Sequence, residues 1–171
     1  MQKNNREALK NISLKNPFHL IAVGFGSGLS PYAPGTCGSI VAIPFCLLLI
    51  EQTLYVQLGV VAAVFLVGWL CSSITEKALG THDNSAIVID EFLGMFISVI
   101  ALQTWHLVLV AFLLFRFFDI LKPYPIRALD RGVPGGFGVM LDDVVAGLYA
   151  LVCGHIVSNL CFGFYVMDYY G

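Results

Sequence analysis

Charged side chains are scarce in this sequence. Asp, Glu, Lys and Arg make up 12% of the 171 residues and apolar residues 58%, whereas soluble domains usually carry about 25% charged residues. No basic stripe is interleaved with aromatic residues, and the formal net charge is −2, so nothing favours a nucleic-acid partner. The composition therefore predicts an integral membrane protein.

The sequence also lacks clustered metal-binding cysteines. Its five cysteines are an odd number without a C-x-x-C pair, which argues against a disulfide framework or a zinc site. Residues 18–29 follow a basic segment, but they contain three glycines and lead to no A-x-A site. We therefore expect no cleavable signal peptide. No internal repeat is visible.

Apolar segments predict the architecture. Four strong segments cover about 54–74, 87–102, 107–121 and 144–166, and a weaker one at about 35–50 contains Pro44. A span needs roughly 20 apolar residues, so the weaker segment either crosses the membrane or is re-entrant. We expect an all-α, polytopic integral membrane helical bundle with about four to five transmembrane or re-entrant helices. Residues 1–16 form a polar, basic cytoplasmic segment, and 17–171 form a single domain.

The distribution of Lys and Arg predicts the orientation. With the N-terminus in the cytoplasm and five crossings, the inner segments contain Lys3, Arg6, Lys10, Lys15, Lys77, Lys122, Arg127 and Arg131, and the outer segments contain no Lys or Arg. This asymmetry agrees with the positive-inside rule. It places the charged motifs at the cytoplasmic ends of the helices. A re-entrant first segment would move the C-terminus to the inside.

A glycine-rich stretch, GFGSGLSPYAPGTCGS, covers residues 24–39. Its prolines exclude one continuous helix, and Thr36 is positioned to cap a helix whose N–H groups bind an anion. No Lys follows the final glycine, so the stretch is not a Walker A loop. The alternative interpretation is a turn with close helix packing by small residues.

Two acid pairs lie at the ends of apolar stretches. Asp90 and Glu91 precede Gly94, which lets another backbone come close, and Asp142 and Asp143 precede Gly147 with the same spacing. A glycine turn is expected to deliver the second pair to the start of the last span. Acids in a membrane are costly unless they are paired, metal-bound or wetted, and two consecutive acids exceed what helix capping requires. His82, in the loop before the first pair, is a further acid or base candidate, although a lone loop histidine is more often solvated.

Arg116, Asp119 and Lys122 follow i, i+3, i+6 spacing and cover about 120° of one helix face. The alternative interpretation is that Arg116 and Asp119 neutralise one another while Lys122 reaches the lipid headgroups. Two cations beside a metal suit a phosphoryl group. Oxygen ligands without clustered His or Cys favour Mg²⁺.

The chain resembles the phosphatidylglycerophosphatase A family over about residues 16–166. The resemblance is carried by the motifs GFGSGLSP, PGTCGS, DEFLGM, RFFDILKPYPI, DR and GGFGVMLDDVVAG. It implies Mg²⁺-dependent hydrolysis of phosphatidylglycerophosphate to phosphatidylglycerol and phosphate, on the route to cardiolipin, at the cytoplasmic face of the bacterial inner membrane. The bilayer and this lipid are the expected partners, and the oligomeric state is not predicted.

Matching motifs carry the family's candidate functional residues onto this sequence. The catalytic candidates are Asp90, Glu91, Asp119, Asp142 and Asp143. Of these, Asp90, Glu91, Asp142 and Asp143 are expected to bind the metal, while Asp119 orients Arg116 or joins the metal. Arg116 and Lys122, with Thr36 as a weaker candidate, are expected to bind the substrate phosphate. The nucleophile is either an activated water or a carboxylate.

Competing classes lack their signatures. No Cys is followed six positions later by Arg, and neither a D-x-D pair, a PSGH-like motif nor D-G-x-x-A-R occurs, so other phosphatase and phosphotransferase families do not fit. A small ion-coupled transporter is the alternative from another class, and it predicts acids near mid-bilayer and internal symmetry. A structural subunit would leave the acid pairs unexplained.

Overall fold

A computed structural model describes residues 11–80, 84–132 and 135–170, with side chains described for 11–80, 84–129 and 135–160. Every regular element in these ranges is helical, which confirms the all-α expectation. The elements in chain order are α1 (Pro17–Ala22), a 3-10 helix (Gly24–Leu29), α2 (Pro34–Ile50), α3 (Leu54–Leu79), α4 (Ile89–Ser98), α5 (Trp105–Leu121), α6 (Ile126–Gly132) and α7 (Gly135–Tyr170).

Two helices of the described part, α3 and the segment Gly135–Leu160 of α7, are long and apolar enough to cross a membrane. Each has 26 residues and rises about 39 Å, more than the roughly 30 Å of a hydrocarbon core. Protein covers them unequally, because 17% of the apolar window of α3 is buried against 44% in α7. Helix α3 is therefore peripheral, whereas α7 packs inside the bundle.

Helix α4 lies at the centre, with nine of its ten residues buried. The predicted span at 87–102 is wrong in extent, because the helix stops at Ser98 after a rise of only about 15 Å. Ala101 follows with a φ of 58°, and its N–H donates to Gln57 Oε1 at 2.8 Å. His155 Nε2 donates to the Ile100 carbonyl at 2.9 Å. Side chains from α3 and α7 thus satisfy backbone groups that the broken helix leaves free.

Two glycines bring α4 and α7 into backbone contact. A Cβ added at Gly147 would lie 2.7 Å from the carbonyl oxygen of Gly94, and one added at Gly94 would overlap the Phe115 ring. The prediction that Gly94 admits another backbone is therefore confirmed. Asp90 and Asp143 each precede one of these glycines by one helical turn, so the crossing places the two acid pairs side by side.

The last helix begins earlier than predicted. It starts at Gly135, so Asp142 and Asp143 lie about two turns inside α7 and not at its start. The first turn of the helix packs closely on α3, because a Cβ added at Gly136 would lie 2.6 Å from the Ser73 backbone nitrogen. The pair is therefore surrounded by neighbouring helices.

The start of α2 also differs from expectation. Its N-cap is Ala33, with φ 43° and no side-chain hydrogen bond, and Pro34 occupies the first turn. The expectation that Thr36 caps this helix is therefore wrong, because Thr36 already lies within the first turn. Helix α2 continues through Pro44 to Ile50.

Candidate active site

Three carboxylates lie close together between α5 and α7. Asp119 at the end of α5 and Asp142 and Asp143 in α7 each offer an oxygen, and these oxygens lie within 4.8 Å of one another. Oxygens around one Mg²⁺ at about 2.1 Å are at most about 4.2 Å apart, so small side-chain shifts would let all three contact one ion. The donor set is the hard-oxygen type that Mg²⁺ prefers, and the residues therefore fit such an ion.

Arg116 joins this cluster to α4 and α2. Its Nη1 forms a salt bridge with Glu91 Oε2 and another, at 2.8 Å, with Asp119 Oδ2. Ser39 Oγ lies 2.7 Å from Glu91 Oε2 and donates to it. The Arg116 Nε is buried without a partner in the described structure, which leaves one N–H donor of the guanidinium unused.

Lys122 approaches the cluster from the other side. It follows the last turn of α5 with a φ of 45°, and its backbone N–H donates to the Phe118 carbonyl. This left-handed conformation takes Lys122 off the regular helix, and its Nζ lies 2.8 Å from Asp142 Oδ2. The expectation that Arg116, Asp119 and Lys122 share one helix face is therefore wrong for Lys122, which lies beyond the end of α5, although its side chain still reaches the acids.

Asp90 lies close to these three carboxylates but is not one of the three. It interacts electrostatically with Asp142 and Asp119, and one of its oxygens accepts the Glu91 N–H at 3.0 Å. Among the described side chains, five acids thus face only two cations. Like charges at such separations repel strongly in a low dielectric, and an added cation would relieve that repulsion.

The glycine-rich stretch approaches Glu91 directly. A Cβ added at Gly35 would overlap the Glu91 carboxylate, and one at Gly38 would lie 2.9 Å from the Val88 Cβ. Close packing by small residues therefore accounts for these two glycines. The phosphate-cradle interpretation of the stretch, and of Thr36 with it, stays a prediction.

The structure brings together residues that lie up to 104 positions apart, from Ser39 to Asp143. Seven predicted residues converge: Asp90, Glu91, Arg116, Asp119, Lys122, Asp142 and Asp143. Ser39 was expected at the same end of the helices as the acids but was given no role in the site, and its sequence signal was its place one turn after Gly35. His82 and Asp83 lie outside the described residues, as do the side chains of Asp130 and Arg131.

Apolar helices that enclose five acids and two cations define an all-helical protein of membrane type with one charged centre. Comparison with known sequences identifies the family to which it belongs. The chain belongs to the phosphatidylglycerophosphatase A family, and the sequence model of that family matches residues 20–158.

Relatives with the same name occur in two bacteria. The protein named Phosphatidylglycerophosphatase A from Escherichia coli K12 is 48% identical over 148 residues, covering 82% of this chain and 83% of the relative. Its namesake from Haemophilus influenzae is 48% identical over 156 residues, covering 89% and 94%. A protein from Bacteroides thetaiotaomicron, provisionally named a phosphatidylinositol-3-phosphatase, is 39% identical over 147 residues, covering 78% and 88%. No solved structure matches the chain.

Proposed function

We propose that this chain hydrolyses the terminal phosphomonoester of phosphatidylglycerophosphate to phosphatidylglycerol and inorganic phosphate, with Mg²⁺ as cofactor. The observation that carries the proposal is the cluster of three carboxylates within 4.8 Å, flanked by Arg116 and Lys122. Family membership supplies the substrate class.

Asp119, Asp142 and Asp143 would hold the metal, and Asp90, predicted from its motif to bind metal, interacts electrostatically with Asp119 and Asp142. Bound Mg²⁺ supplies Lewis-acid polarisation of the phosphoryl oxygens. Glu91 is also predicted from its motif to bind metal, but its salt bridge and the Ser39 hydrogen bond support a second role, the orientation of Arg116. Both roles depend on its negative charge.

Arg116 and Lys122 would bind the oxygens of the substrate phosphate. Both now pair with acids of the cluster, and those acids would face a divalent ion when it binds. The two cations can then give up some of their contacts with the acids and bind phosphoryl oxygens instead. Arg116 also has its unused Nε donor for this purpose. Donors held in place before the substrate arrives stabilise developing charge most effectively.

The proposal includes a membrane arrangement. Helices α3 and α7 would cross the bilayer, and α2 and α5, each of 17 residues, rise about 25 Å and lie at the short end of the spanning range. With α4 enclosed between them, this gives the four to five helices expected from the sequence. The Lys and Arg distribution supports an active site on the cytoplasmic face of the inner membrane.

The test is phosphate release by purified protein in detergent from phosphatidylglycerophosphate. We expect release that stops with chelator, returns with Mg²⁺, and falls by at least about a hundredfold in Asp142→Asn. Glu51→Gln, which removes an exposed acid after α2, is the matched control and should keep wild-type activity. Mg²⁺ binding, measured directly by calorimetry, should be weaker in Asp142→Asn and unchanged in Glu51→Gln.

No release from folded wild-type protein at any Mg²⁺ concentration would contradict the proposal and favour the ion-coupled transporter. The name of the Bacteroides relative is the reason to include a second lipid, phosphatidylinositol 3-phosphate, in the assay. If phosphatidylinositol 3-phosphate were hydrolysed faster than phosphatidylglycerophosphate, the proposed phosphomonoester hydrolysis would be correct but the proposed lipid substrate would be wrong.

A further inference from the structure

A basic pocket lies next to the charged centre, and apart from Lys122 its lining residues have no role in the proposed reaction. It encloses about 430 Å³ and is lined by Leu121, Lys122, Pro123, Tyr124, Arg127 and Ala128. These residues belong to the end of α5, the connection that follows it and the start of α6. The pocket therefore occupies the segment KPYPIR, of which the charged centre uses only Lys122.

The charges of the pocket suit an anion. Lys122 and Arg127 are both cationic, and no described acidic side chain lines the cavity. Arg127 is exposed and forms no ion pair with another described residue, so its guanidinium is available to a ligand. Arg binds phosphate oxygens with two parallel hydrogen bonds, which gives it more geometric selectivity than a point charge.

The pocket adjoins the reaction centre through one side chain. Lys122 lines the pocket, and its Nζ also lies 2.8 Å from Asp142 Oδ2 within the acidic cluster. A ligand with two phosphates a short distance apart would place one at the acids and the other at Arg127, on either side of Lys122. Phosphatidylglycerophosphate has this chemistry, because a glycerol separates its terminal phosphomonoester from a phosphodiester.

We propose that the pocket formed by Arg127, Lys122 and Tyr124 binds the internal phosphodiester of the lipid substrate and so selects two-phosphate lipids over phosphatidic acid. The inference rests on the proposed function for the identity of the lipid. Arg127 touches a part of the substrate that does not react, so it is a specificity residue.

The experiment compares Arg127→Gln with Lys77→Gln, a matched control that removes another exposed cation, at the end of α3. For phosphatidylglycerophosphate, we expect Arg127→Gln to raise KM about tenfold, as loss of a charged hydrogen bond predicts, with kcat little changed. Arg127→Lys should recover part of the loss. For phosphatidic acid, used as substrate or competitor, neither variant should change the affinity.

The product gives a measurement independent of turnover. Phosphatidylglycerol keeps the phosphodiester and lacks the phosphomonoester, so calorimetry with its dihexanoyl form in the presence of chelator probes the pocket alone. We expect wild type and Lys77→Gln to bind it and Arg127→Gln to bind it about tenfold more weakly. This result would stand even if the wild type released no phosphate, which separates the pocket from the proposed reaction.

Three outcomes would overturn the inference. If Arg127→Gln weakened phosphatidic acid and phosphatidylglycerophosphate equally, the pocket would be a general contact for anionic lipid surfaces. If Arg127→Gln and Lys77→Gln had the same effect, or if product binding were unchanged in Arg127→Gln, the pocket would have no selective role.

Discussion

The two long apolar helices, α3 and α7, both pass the length and composition test for a membrane span, but the protein covers them to different extents. Both contain a 26-residue segment able to cross a membrane, yet 17% of the apolar window is buried in α3 and 44% in α7. Helix α3 exposes large apolar side chains such as Leu66 and Leu70, at 60% and 55%. Helix α7 buries Asp142 and Asp143 at 7% and 3% exposure. The acids are tolerated where protein, not lipid, surrounds the helix.

The strongest test of this difference removes an acid from α7. Asp143→Asn keeps the size of the side chain and removes its charge, so we expect at least about a hundredfold loss of phosphate release with a folded protein. The measurement is the initial rate, paired with gel filtration in detergent to monitor folding. Aggregation of this variant would instead indicate that Asp143 is structural.

A second test adds an acid to α3. Leu70→Asp places a charge on the exposed face, where insertion costs about 2.5–3.5 kcal/mol, and we expect a reduced membrane-integrated fraction. Leu70→Ala is the control and should integrate normally. The integrated fraction is measured by carbonate extraction of membranes. If both variants integrated equally, the α3 face would not contact lipid.

A third and smaller effect compares glycines in the two helices. In Gly147→Ala the new Cβ would lie 2.7 Å from the Gly94 carbonyl oxygen, whereas Gly59 in α3 has nothing within 4 Å of the corresponding position. Overpacking of this kind costs about 1–3 kcal/mol, so we expect a lower melting temperature and partial loss of activity.

Gly59→Ala should leave activity unchanged and hold or raise the melting temperature, because Ala favours a helix over Gly by about 1 kcal/mol. Equal melting temperatures for the Gly147→Ala protein and the wild type would contradict the close crossing of α4 and α7.

The sequence predicted which residues form the site better than it predicted how they pair. Acids in an apolar context are costly, and this cost marked Asp90, Glu91, Asp142 and Asp143. The binding of Arg116 to Glu91 depends on how α4 and α5 pack, which spacing along one helix does not reveal. Ser39 was missed for the same reason, since a serine in a small-residue helix has many ordinary uses.

Helix boundaries were predicted correctly where the end of the apolar segment is also the end of the helix. Helix α5 ends at Leu121, as the apolar segment indicated. Helix α4 stops at Ser98 although apolar residues continue, because Gln57 and His155 satisfy the turn that follows. Those bonds come from distant segments. The expected helix start near residue 144 was wrong likewise, because α7 begins at Gly135 and its first turn packs on Ser73 of α3, a contact between distant segments.

The hydrogen bonds that Gln57 and His155 make beyond Ser98 have a consequence for how a lipid reaches the site. They fix the segment after α4 to α3 and α7, and the crossing of Gly94 with Gly147 fixes the middle of the helix. A helix held at two points has little freedom to slide along its axis, so the fold sets the position of Asp90 and Glu91 along that axis. A substrate phosphate must therefore reach the acids at that position, because the acids do not move along the helix axis to meet it.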